Sequence, residues 1–153
     1  MPFRRGLAVL AAAVCLAPRA DGQPQSAREI PKVPAALLQR PVTIAKGIGH
    51  AHDAVGTTSK PAQAFYDQGL AYLHSYVWIE AARAFNQALR VDASLAIAHA
   101  QLSLALTELN APVEAHAALD RAWALEAKAN DHDRRHIAAR RLQMAAEDHP
   151  SEA

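Results

Sequence analysis

The chain has 153 residues, 51% of them hydrophobic but only 5% aromatic, with a formal net charge of +1 at pH 7. Much of the apolar content is alanine, which favours helix because it loses no side-chain entropy there. The near-neutral charge argues against a general nucleic-acid binder, which shows a clear basic excess. A single cysteine, Cys15, excludes a disulfide framework.

Residues 1–22 have the order of a secretory signal. Arg4 and Arg5 precede an apolar run over residues 6–17, long enough for a signal and too short to span a bilayer. Ala20, Asp21 and Gly22 offer small residues at the cleavage spacing, so cleavage is expected after Gly22; retention as an anchor is the alternative. Cleavage removes Arg4, Arg5, Arg19, Asp21 and Cys15, so Lys plus Arg falls from 16 to 13 and Asp plus Glu from 15 to 14. The mature chain would then carry a net charge of −1 and no thiol. The expectation is an exported protein, periplasmic or secreted, with no stable membrane insertion.

Residues 23–58 read as a linker and irregular segment. Pro24, Pro31 and Pro34 mark its mobile start. Val42, Thr43 and Ile44 suggest a short extended piece, and residues 47–50 and 56–59 suggest turns. The helical domain is expected over 59–147. Its first helix starts at Ser59, a good N-cap, with Pro61 tolerated in the first turn, and runs to about His74. The second runs from Val77 to Val91, with Trp78, Ala81, Ala82, Phe85, Ala88 and Leu89 at i, i+3, i+4, i+7 spacing. The third follows Ser94 as N-cap and ends near Leu109. The fourth restarts at Pro112 and ends near Leu125. A fifth occupies Asp131 to Glu147, and residues 148–153 form a disordered tail.

Two of these helix pairs repeat one pattern. Phe65, Gln68, Gly69, Tyr72, Ala81, Phe85 and Ala88 recur 34 residues later as His99, Leu102, Ser103, Leu106, Ala115, Leu119 and Ala122. That period, with large residues early and a small residue followed four later by a large one, resembles the tetratricopeptide repeat. Residues 47–125 further resemble a group of exported bacterial tetratricopeptide proteins. The matching residues are Gly47, Gly49, His50, Thr57, Thr58, Ser59, Ala62, Gln63, Tyr66, Asp67, Gln68, Gly69, Leu70, Glu80, Ala81 and Phe85. Ala93 departs from the proline that usually closes such a unit. The implied fold is an all-α helix-turn-helix solenoid of two repeats plus a C-terminal helix. The register fails at His136, Ile137 and Arg140, so that helix is a cap or a divergent half-repeat, and the chain is either a small scaffold or part of a longer repeat protein.

The resemblance implies that the first helix of each pair lines a concave groove. Gln63, Tyr66, Leu70, Leu73 and His74 would face it from one repeat, and Ile97, Ala100, Gln101, Leu104 and Glu108 from the next. This mixed strip lacks the Lys/Arg density of a carboxylate clamp. It fits a peptide or partner helix, which makes a protein-interaction scaffold the leading functional expectation.

The second expectation is a metal-binding module. His50, His52 and Asp53 form the one compact group of metal-capable side chains before the repeats. His132 and His136 have metal-capable i, i+4 spacing but lack the intervening Glu of a metalloprotease helix, so the metal reading rests on His50 and His52. No nucleophile elbow, dinucleotide loop or phosphate-loop lysine motif occurs, so neither an enzyme nor a cofactor is expected. Arg134, Arg135, Arg140 and Arg141 read as a solvated basic face. Phe85, Trp78 and Trp123 read as core aromatics.

Overall fold

The computed structural model describes residues 32–149, which are all-helical, without strands. The signal segment, the start of the linker and residues 150–153 lie outside the described residues. The elements are α1 (Ala35–Leu38), α2 (Lys60–His74), α3 (Trp78–Val91), α4 (Ala96–Glu108), α5 (Pro112–Leu125), one 3-10 turn (Glu126–Lys128) and α6 (Asp131–Asp148). None is long and apolar enough to cross a membrane.

Local chemistry sets most of these boundaries. Ser59 caps α2 by accepting from the Ala62 amide, and Pro61 sits in the first turn, where its missing N–H costs nothing. Asn130 caps α6 through the Asp133 amide. Ser94 does not cap α4, as its position suggested. The cap residue is Leu95, with no side-chain bond, and Asp92 instead accepts both the amide and the hydroxyl of Ser94 in a local turn.

α2 with α3 and α4 with α5 form two helical hairpins, and α3 packs on α4. Their connections use one device twice. Val77 donates to the Tyr72 carbonyl and Tyr76 to that of Leu73; 34 residues on, Ala111 donates to Leu106 and Asn110 to Thr107. This is the Schellman closure, which needs a left-handed residue. Tyr76 (φ 60°) and Asn110 (φ 55°) supply it.

α4 is the central element. Its buried positions, among them Ile97, Ala98, Leu102, Ala105 and Leu106, lie on all sides, as expected of a helix packed between neighbours. α6 lies against α4 and α5. Inside the first hairpin Gly69 meets Phe85: a Cβ on Gly69 would stand 2.4 Å from the ring. The ring of Tyr66 packs on the same Phe85, tilted at 54° with centroids 5.7 Å apart.

The segment before α2 is largely coil but is anchored to the helices. After α1, residues 43–57 run as a strap held by side chains of α2. Gln68 accepts from the Ala45 amide (2.7 Å) and donates to the Thr43 carbonyl (3.1 Å). Asp67 accepts from the Asp53 amide and pairs with His52. Gln63 donates to the Asp53 carbonyl and to Asp67 and accepts from the Val55 amide. The strap then reaches α6, where Gly56 donates to Asp133 (2.9 Å), and the α3–α4 connection, where Thr57 donates to Asp92 (2.6 Å). Val42, Thr43 and Ile44, where the strap begins, are coil and not part of a sheet.

Candidate functional site

α2, α4 and α6 together present one grooved face. A hollow of about 410 Å³ is lined by Leu70, Leu73 and His74 of α2 and by Gln101, Leu104 and Glu108 of α4. A smaller one of about 160 Å³ continues past the same Gln101 and Leu104 to His136, Arg140 and Gln143 of α6. The floor is leucine and the walls are polar, a composition suited to side chains that carry both apolar and hydrogen-bonding parts.

Six of the ten groove residues expected from sequence therefore line the first hollow, and Ala100 lines the second. The other three line neither. Tyr66 and Ile97 are fully buried and form the core beneath the face. Gln63 spends its amide on the strap and on Asp67. The reason is common to Tyr66 and Gln63: the strap occupies the N-terminal half of α2, which leaves only its C-terminal half open.

Two further residues line the groove. Trp78 begins α3, and Tyr76 sits at the turn, 77% exposed, with its ring edge-on to Trp78 at 5.3 Å. A left-handed tyrosine costs about 1–2 kcal/mol relative to its relaxed backbone. Strain of this kind concentrates where a side chain is needed in a particular place. The signal was present in the sequence as an aromatic residue where a glycine or asparagine suits the helix end, as Asn110 does one repeat later.

The histidines and acids divide differently from expectation. His50 is exposed beside a shallow hollow between the strap and α2. His52 bonds Asp67 at 2.7 Å, and this contact, reinforced by the Asp67 charge, holds its imidazole above the ordinary range. Asp53 turns to the other side, with Oδ1 3.2 Å from Nε2 of His132. His50, His52 and Asp53 are thus adjacent in sequence without converging; Asp53 instead joins His132 and His136.

The basic face of α6 is also split. Arg140 is buried: its Nε donates to the Ser103 hydroxyl (3.0 Å), one terminal nitrogen to Thr107 (2.7 Å) and the other to both Glu147 oxygens. It ties α6 to α4 and closes one end of the second hollow. Arg134 pairs with Asp131, and Arg141 lies 3.7 Å over the ring of Trp123. Trp123 is therefore a half-exposed cation–π partner and not a core residue.

The Tyr66 hydroxyl is buried without a hydrogen-bond partner. Gln101 lies close enough to act on its ionisation but outside hydrogen-bond geometry. Burial, reinforced by the Asp53 and Asp133 carboxylates, pushes this phenol above the ordinary tyrosine range. His99, partly buried in α4, is held below the ordinary imidazole range by burial and then by the Arg121 charge.

Compared with known proteins, the chain matches no family model, no curated protein and no solved structure.

Proposed function

We propose that this chain is a tetratricopeptide-type interaction scaffold whose α2–α4–α6 face binds a peptide or partner helix. The observation that carries the reading is Tyr76: a strained, exposed aromatic held edge-on to Trp78 at the mouth of a leucine-floored groove. The repeated Schellman turns at 34-residue spacing support the repeat assignment, because the same backbone device closes both hairpins. The groove is short, so affinity should be modest: a small contact area leaves little surplus over the entropy lost on association. Binding of a segment, and not catalysis, is the role we assign, in the exported compartment that residues 1–22 suggest.

A photo-crosslinking amino acid at position 76, introduced in the producing cell, tests this. The expected result is a discrete adduct that disappears when Leu104 is replaced by glutamate. An adduct pattern unchanged by Leu104→Glu would refute the groove as the binding surface.

A further inference from the structure

Asp53, His132 and His136 converge from two parts of the chain that sequence spacing alone does not connect. One candidate ligand atom from each lies within 4.8 Å of the others. Asp53 Oδ1 and His132 Nε2 are 3.2 Å apart, and the two imidazole centroids 4.6 Å apart. Ligand atoms around a tetrahedral zinc at its usual bond lengths of about 2.0–2.1 Å are separated by about 3.3 Å. The Asp53–His132 edge already has that length, and His136 is an exposed side chain one helical turn along, free to adjust.

The surroundings orient these groups. His132 Nδ1 is 3.1 Å from Oδ1 of Asp133, a buried carboxylate whose other oxygen accepts from the Gly56 amide. That is the carboxylate–histidine arrangement which fixes the tautomer with Nε2 free to ligate. Asp53 is fixed through its backbone: its amide donates to Asp67 and its carbonyl accepts from Gln63. His132 and Asp53 are thus positioned by bonds that do not involve their ligating atoms.

We infer that Asp53, His132 and His136 form a site for a divalent transition-metal ion, with Zn²⁺ as the fitting ion. Two imidazoles and one carboxylate suit zinc, whereas magnesium and calcium prefer all-oxygen sets. Three protein ligands leave a fourth position for water or for a donor group from a bound molecule. Because His136 also lines the second hollow, the ion sits beside the groove. It also bridges the strap to α6, so occupancy stabilises the folded chain by linkage.

The test is calorimetric titration of the protein with ZnCl₂, paired with Co²⁺ absorption spectra and thermal melts. One equivalent should bind, cobalt should give the visible bands of a low-symmetry, four- or five-coordinate site, and zinc should raise Tm. His136→Ala, an exposed substitution, should abolish all three responses while circular dichroism and the metal-free Tm stay unchanged. Asp133→Asn should weaken binding by about 10–100-fold, and His52→Ala should leave it intact. No heat and no cobalt bands, or binding retained in His136→Ala, or binding lost in His52→Ala, would each overturn the assignment.

Discussion

Gly69 and Phe85 occupy one volume between them: the ring of Phe85 stands where a side chain at position 69 would begin, 2.4–2.8 Å from its Cβ. The equivalent pair 34 residues on is Ser103 and Leu119, both buried. Each hairpin thus carries one small and one large residue at matching positions, and in the first the Phe85 ring determines how small residue 69 must be.

This predicts a compensating double mutant. Gly69→Ala removes a mid-helix glycine, which alone would gain about 1 kcal/mol. The clash with Phe85 reverses the sign, and a net loss of about 1–3 kcal/mol is expected. Combined with Phe85→Leu, Gly69→Ala should cost less than it does alone. Chemical denaturation of the four proteins in the cycle measures this; additive effects would mean that the two side chains are not in contact.

A second prediction concerns Tyr76. Glycine adopts the left-handed turn at no steric cost, so Tyr76→Gly should stabilise the fold by about 1 kcal/mol after loss of its edge contact with Trp78. The same change should weaken peptide binding. A fall in stability would mean that the ring is held for packing and not for recognition.

A third concerns pH. The folded pKa of His99 is depressed below the ordinary imidazole value of 6.5, with burial the main cause. Between those two values the unfolded chain binds more protons, so this contribution is present above pH 6.5 and lost as pH falls through the folded value. His52 is raised by Asp67, and its contribution has the opposite sign: present below 6.5 and lost as pH rises through the folded value. Histidine resonances followed by NMR should place His99 below and His52 above the free value. Replacing His99 with leucine should blunt the acid-side fall in Tm. An unchanged acid-side slope in that variant would assign the loss elsewhere.

The five longer helices, α2 to α6, were legible in the sequence because their limits depend on neighbours, whereas the four-residue α1 fell in the segment read as irregular. Ser59, Pro61, Pro112 and the alanine-rich stripe act over one or two turns, and the helix ends fall within about a residue or two of expectation. What was not legible depends on partners far along the chain. The strap is held by Gln63, Asp67 and Gln68, whose polar bonds to the backbone have no period. Arg140 looks like a surface charge until Ser103 and Thr107, 37 and 33 residues earlier, are placed against it. Tyr66 belongs to the helix face assigned to the groove, yet the fold buries it completely. His132 and His136 needed Asp53, 79 residues before His132, to acquire a third ligand.

The most direct measurement of the central claim is the affinity of a peptide selected by display against this protein, read by fluorescence of Trp78 at the groove mouth in a Trp123→Phe background. Leu104→Glu places a charge on the leucine floor shared by both hollows and should weaken binding at least tenfold. Leu142→Glu, at a residue 75% exposed on α6 and outside the lining of both hollows, should change nothing. Binding that survives Leu104→Glu but is lost in Leu142→Glu would contradict the account and move the recognition surface to the outer side of α6.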